Sequence, residues 1–109
     1  MKKLEAIIDP VSLHDVRQAL EAVGLTDLIL SDVRGTDQHG AHTEIYRGME
    51  YTVDFVLKLK LEAIIDDSSV DEAAEAIIKA ATADGVCRVF VCPIEEIGTS
   101  TGDGVESIR

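Results

Sequence analysis

The side chains able to do chemistry fall in a few short stretches. His39 and His42 are imidazoles three residues apart, with Asp37 and Glu44 beside them, a pairing that can begin a transition-metal site. Zinc needs a third or fourth ligand in fixed geometry, and a glycine-bearing stretch supplies none, so solvated or partner-contacting histidines are the simpler expectation. Tyr46, Arg47 and Tyr51 are residue types that anchor interfaces. Lys58 and Lys60 share one strand face with Glu62. They are either anion ligands facing a cleft or ion pairs with Asp54 and Glu62. Cys87 and Cys92, five apart in one predicted strand, point to opposite faces and are expected as two buried free thiols in a reducing compartment. Asp66, Asp67, Asp71, Glu72 and Glu75 gather at the start of a predicted helix, where the dipole welcomes negative charge and a solvated face is expected. His14 is expected to be exposed in the first turn of another. No nucleophile elbow, telling Cys/His spacing or complete phosphate loop is present, and no enzymatic activity is expected.

The elements that must position these groups are written twice. Lys3-Leu4-Glu5-Ala6-Ile7-Ile8-Asp9 recurs unchanged as Lys60-Leu61-Glu62-Ala63-Ile64-Ile65-Asp66, and each copy leads into helical periodicity. Leu13, Val16, Ala19, Leu20 and Val23 form one helical stripe, with Ser12 and Asp15 as a capping box and Gly24 as the stop. Val70, Ala73, Ala74, Ile77, Ile78 and Ala81 form the second, with Ser69 and Glu72 at its start and Gly85 at its end. Apolar strands follow at 28–34 and 86–92. Strand-helix-strand twice, with short right-handed connections, predicts an α+β fold: a ferredoxin-like βαββαβ plait, a four-stranded antiparallel sheet with two helices on one face.

Residues 53–65 alternate strictly, with Val53, Phe55, Leu57, Leu59, Leu61, Ala63 and Ile65 on one side, and read as one long strand. Two helices cover one side of the sheet, yet Ile7, Ile64 and part of 89–91 must point to the other. Copies of the same chain are the simplest cover, and such closed oligomers place clefts between subunits. Between strands 2 and 3 lie residues 35–51, with no apolar period, too long for a plain hairpin and expected to be a functional arm that orders on binding.

The chain's 109 residues support one domain, and a mean hydropathy of +0.12 with 46% hydrophobic residues fits a folded core. A net charge of −11 repels phosphate backbones and excludes nucleic acid as an expected partner. No apolar run approaches the roughly 20 residues needed to cross a bilayer, so no membrane insertion and a cytoplasmic location are expected.

Tyr46-Arg47-Gly48-Met49-Glu50-Tyr51 resembles the signature Tyr-Arg/Lys-Gly-Ala/Ser-Ala/Glu-Tyr of the PII signal-transduction family at every position but Met49. Glu5-Ala6-Ile7-Ile8 with Pro10, Asp15-Val16-Arg17 with Ala19-Leu20, Val23-Gly24, Val33-Arg34-Gly35, His42-Thr43-Glu44 and Val53-Asp54-Phe55 also resemble its consensus, so the likeness runs from Met1 to about Ile78. The resemblance implies a non-enzymatic homotrimer with inward-facing sheets. It implies ATP or ADP in inter-subunit clefts, 2-oxoglutarate brought by ATP through magnesium, and residues 35–51 as the T-loop that reaches a transporter or metabolic enzyme. Carried over by motif, Tyr51 is the position uridylylated in some members, Arg47 the tip residue some insert into a channel, and Lys58 the lysine that meets 2-oxoglutarate.

The phosphate end departs from that pattern. The family's Thr-Gly-x-x-Gly-Asp-Gly-Lys is reduced to residues 82–88, where Gly85 is the one glycine left and Arg88 stands for the lysine. Its Arg-x-Arg-Thr-Gly-Glu becomes Gly98-Thr99-Ser100-Thr101-Gly102-Asp103, without either arginine, within a divergent segment at 93–109. Each lost charge-assisted contact is worth roughly 1.5–3 kcal/mol. His39 replaces the glutamine used on magnesium and suits that ion badly. The resemblance therefore implies a divergent PII-like protein in which Gly35, Lys58, Glu62, Ile64, Gly85 and Arg88 hold ADP or AMP in preference to ATP, with bicarbonate as a further candidate effector. The alternatives are a metal-responsive trimer using His39 and His42, and an interaction-only scaffold acting through Tyr46, Arg47 and Tyr51.

Overall fold

A computed structural model describes residues 1–36, 42–46, 49–53, 55–81, 87–100, 102 and 105–108, with backbone alone for 42–46, 49–53 and 105–108. The elements run β1 (Lys2–Ile8), α1 (Leu13–Ala22), β2 (Ile29–Gly35), β3 (His42–Tyr46), β4 (Met49–Val53), β5 (Val56–Ile65), α2 (Val70–Ala81), β6 (Arg88–Pro93), β7 (Gly98–Ser100) and β8 (Val105–Ile108). Four strands form an antiparallel sheet in the order β2-β5-β1-β6. With α1 and α2 on one face this is the ferredoxin-like plait that the duplicated strand-helix-strand pattern predicts.

The two copies of the repeated heptapeptide are the central strands, and they pair with each other. Lys3 lies opposite Ile64, Leu4 opposite Ala63, Glu5 opposite Glu62, Ala6 opposite Leu61 and Ile7 opposite Lys60, so the pairing is locally two-fold about the Glu5–Glu62 step. Because the side-chain period is two, one face of this pair carries Leu4, Ala6, Ile8, Leu61, Ala63 and Ile65, all buried. Val16 and Leu20 of α1 and Ala73, Ile77 and Ala81 of α2 close over them. Each fully buried leucine here contributes about 1.5–3 kcal/mol relative to exposure. Ile78, read as part of the α2 stripe, is instead 46% exposed at its edge.

Both helices are entered through a single 3-10 turn, Pro10–Ser12 and Asp67–Ser69, in which the serine amide donates to the carbonyl of Asp9 or Asp66 at 3.0 Å. This corrects the capping box expected at Ser12. The residue is 2% exposed with helical backbone (φ −83°, ψ −9°), and its side chain makes no cap hydrogen bond to α1. An N-cap hydroxyl reaches the following amides from extended backbone, and the 3-10 turn removes that geometry. At the other end Gly24 takes φ +88°, the left-handed stop that its position implies.

The segment 53–65 is not one strand. Val53 pairs with His42 in a separate β3-β4 hairpin, whereas β5 begins at Val56 and pairs with β2 and β1. Alternation reports the side-chain period but cannot show that the hydrogen-bonding partner changes midway. The apolar face of β5 is buried only in part, since Leu57 is 61% exposed. β1 stops at Ile8, opposite Leu59, so the start of β5 extends past the core. Residues 35–51, expected as a long functional arm that orders on binding, contain β3 and most of β4, in a register that sets Tyr46 opposite Met49 and Glu44 opposite Tyr51. The segment 93–109 likewise contains a hairpin, β7-β8, with a register irregularity at Thr99/Ser100.

Candidate functional site

The face of the plait away from the helices is where chemistry can occur. The same period that buries Leu4 and Leu61 turns Lys3, Glu5, Ile7, Lys58, Lys60, Glu62, Ile64, Arg88, Phe90 and Cys92 to this side. Ile29, Ile64 and Phe90 are large apolar residues left 61%, 49% and 51% exposed. The exposure expected of Ile64 is thus found, and of 89–91 it is Phe90 that lies on this side, while Val91, opposite Leu4, is 40% exposed on the other.

At its centre is a charge cluster made by the repeat. Lys60 Nζ lies 3.2 Å from Glu5 and 3.8 Å from Glu62, and Lys3 Nζ lies 3.5 Å from Glu62. Two identical strands running antiparallel must set Glu5 against Glu62, and like charges directly opposite are destabilising. The lysine two positions earlier in each copy neutralises them diagonally. The Lys60 ammonium is held above its ordinary pKa, chiefly by its hydrogen bond to Glu5 and then by the charges of Glu5 and Glu62. Of the two readings open for Lys60, the ion pair with Glu62 is therefore present, joined by Glu5.

Toward one end of this face, Lys58 and Arg88 line a depression of about 320 Å³ whose other walls are Ile7 and Phe90. Arg88 stands directly opposite Ile7 on β6, and Lys58 lies diagonal to Ile7 on β5. Two cations over an apolar floor suit an anion attached to a flat or apolar body. Lys58 is paired with Asp9, a residue beyond the end of β1 that the choice between Asp54 and Glu62 overlooked. Asp9 could have been found from register: with Ile7 opposite Lys60, position 9 falls opposite position 58. Among the described residues Arg88 has no ion-pair partner.

The other expected ligands are placed elsewhere or not described. Glu62 and Ile64 border a separate depression of about 450 Å³ with Thr26, Asp27, Leu28, Ile29 and Ala63. Gly35 ends β2 opposite Val56, near a third of about 430 Å³ that Lys58 shares with Pro10, Asp32, Arg34 and Leu59. Within one protomer the described members of this set, Gly35, Lys58, Glu62, Ile64 and Arg88, therefore do not form one pocket. Gly85, His39 and Arg47 lie outside the described residues. For His42, Tyr46 and Tyr51 the hairpin position is described and the side chain is not. Among the described residues no group of three or more His, Cys, Asp or Glu side chains is arranged to hold a metal ion, and no helix is long and apolar enough to cross a membrane.

Two further placements bear on the site. The Arg34 guanidinium sits 4.7 Å from the Phe55 ring centroid, tying the end of β2 to the residue before β5 across the root of the 35–51 segment. Cys87 is half-buried against the core, and burial pushes its thiol up. Cys92 is exposed, which corrects the expectation of two buried thiols: its position opposite Lys3 puts it on the uncovered face.

Comparison with known proteins extends the resemblance read from the sequence. The family described as Nitrogen regulatory protein P-II matches residues 1–103, well beyond the end near Ile78 that the motifs alone indicate. A Nitrogen regulatory protein P-II from Azospirillum brasilense is 42% identical, with 96% of this chain and 100% of the relative covered. Those of Pasteurella multocida and Nostoc punctiforme are 44% and 43% identical, each over 89% of this chain and 88% of the relative. With the duplicated plait, the uncovered sheet face and this continuous similarity together, the chain belongs to the Nitrogen regulatory protein P-II family of signal-transduction regulators.

Proposed function

We propose that this chain is a non-enzymatic cytoplasmic regulator that assembles as a homotrimer, binds a small anionic effector at clefts bordered by Lys58 and Arg88, and signals occupancy through residues 35–51. The observation that carries the reading is the depression of about 320 Å³ on the uncovered face, in which these two cations flank Ile7 and Phe90. Trimer formation covers the exposed Ile29, Ile64 and Phe90 and draws the separate ligand positions Gly35, Glu62 and Ile64 of neighbouring copies toward one cleft, with Gly85 carried over by motif as a further ligand. The effector is an adenine nucleotide, ADP or AMP in preference to ATP: the adenine stacks over the apolar floor, and too few cations remain for a triphosphate. Tyr46 and Arg47 contact the client, a transporter or metabolic enzyme, and Tyr51 is the modification position.

The test is calorimetry and thermal unfolding of the purified protein with ATP, ADP, AMP and bicarbonate. A ligand at 100 times its Kd adds about 2.7 kcal/mol to the folded state, a readily measured shift in Tm. Stabilisation by ADP or AMP above that by ATP, lost in Arg88→Ala, supports the reading. No response to any nucleotide would overturn it and leave the metal-responsive reading through His39 and His42 and the interaction-only one.

A further inference from the structure

We propose that Asp9 is an internal counter-anion of Lys58 and sets how much negative charge the depression accepts. The inference rests on the reading of the Lys58–Arg88 depression as the effector site and names what determines its selectivity. The carboxylate of Asp9 meets Lys58 Nζ with both side chains largely withdrawn from water, at 29% and 25% exposure. It is held there by the backbone. Asp9 is extended (φ −71°, ψ 143°) and precedes Pro10, which confines it to that region, and its carbonyl accepts the Ser12 amide at 3.0 Å. A tethered carboxylate in a fixed backbone competes with any free one at high effective concentration.

The depression consequently carries two cations of different availability. Arg88 has no ion-pair partner among the described residues and meets an incoming anion unopposed. Lys58 is reached only by displacing Asp9, after which the displaced carboxylate stands beside the ligand. A lightly charged anion rests on Arg88 and leaves the pair intact. A heavily charged one needs both cations, and so must break the pair and then face Asp9 at short range, in a molecule whose net charge of −11 already opposes it. Asp9 thus selects against ligand charge.

The experiment compares AMP and ATP by calorimetry on the intact protein, as wild type, Asp9→Asn, Lys58→Gln and the double variant, with Asp9→Ser standing in should Asp9→Asn not fold. Asp9→Asn is expected to tighten ATP about tenfold or more and AMP about threefold or less, and the gain should vanish when Lys58 is also replaced. Equal gains for both nucleotides, no gain, or a gain that survives Lys58→Gln overturns the role of Asp9 while any wild-type nucleotide binding preserves the effector site. Absence of nucleotide binding in both wild type and Asp9→Asn overturns the site and the inference together.

Discussion

Lys60 shows how one residue resolves a conflict built into a repeated sequence. Antiparallel pairing of identical strands sets Glu5 against Glu62, and Lys60 forms ion pairs with both, within hydrogen-bond distance of Glu5 alone. Its pKa is raised above the ordinary 10.5, first by the hydrogen bond to Glu5. A group whose folded pKa is raised stabilises fully below its unfolded value and loses that contribution as pH rises through the folded one. Lys60→Met should therefore melt below wild type at about pH 7, with the gap narrowing only in alkaline buffer above the ordinary lysine value of 10.5. Melting curves across that range check the sign; a gap that widens with alkalinity contradicts it.

Among elements, the helices depend on how they are entered, stopped and packed. Gly24 holds φ +88°, and a Cβ placed there would meet nothing within 4 Å. Replacing it with alanine tests backbone strain free of any clash, and chemical denaturation should show a loss of about 1–2 kcal/mol. Leu20 is wholly buried between α1 and the sheet, and Leu20→Ala should cost about 2–5 kcal/mol by the same measurement. The Arg34–Phe55 contact closes the root of the 35–51 segment without joining the core. Arg34→Ala should therefore leave global stability nearly unchanged while accelerating amide exchange at the ends of β2 and β5, and a large global loss would show that the contact belongs to the fold itself.

At the scale of the whole molecule, the uncovered sheet face is the surface that the proposed assembly and effector site share. Phe90 is 51% exposed in the protomer and stands at the depression. In the proposed homotrimer of 11.8 kDa chains neighbouring copies cover this face, and Phe90→Asp should then dissociate the assembly to monomers that keep their helical circular dichroism, as read by sedimentation. Cys92 reports on the same event. It lies on that face, so alkylation should be slow in the assembly and fast in the Phe90→Asp monomer. Cys87 should stay slower than Cys92 in the monomer, because burial raises its thiol and depletes the thiolate.

The repeated heptapeptide, the two helical stripes and the Gly24 stop are local patterns, and local patterns determined the plait, its buried face and the existence of an uncovered one. The Tyr46–Tyr51 hexapeptide is likewise contiguous, which is why family membership was legible before any coordinates. What depended on pairing across the chain was not. Whether Val53 continues β5 or joins a hairpin depends on which backbone lies beside it, and polarity alternation is the same in both cases. That Ser12 would close a 3-10 turn rather than cap α1 depends on the backbone set by Pro10, and that Cys92 would be exposed depends on the register of β6 against β1. The partner of Lys58 was the most consequential of these. Asp9 is 49 positions away in sequence, and only the antiparallel register of β1 on β5, fixed by burial of one face of each strand, brings the two charges together.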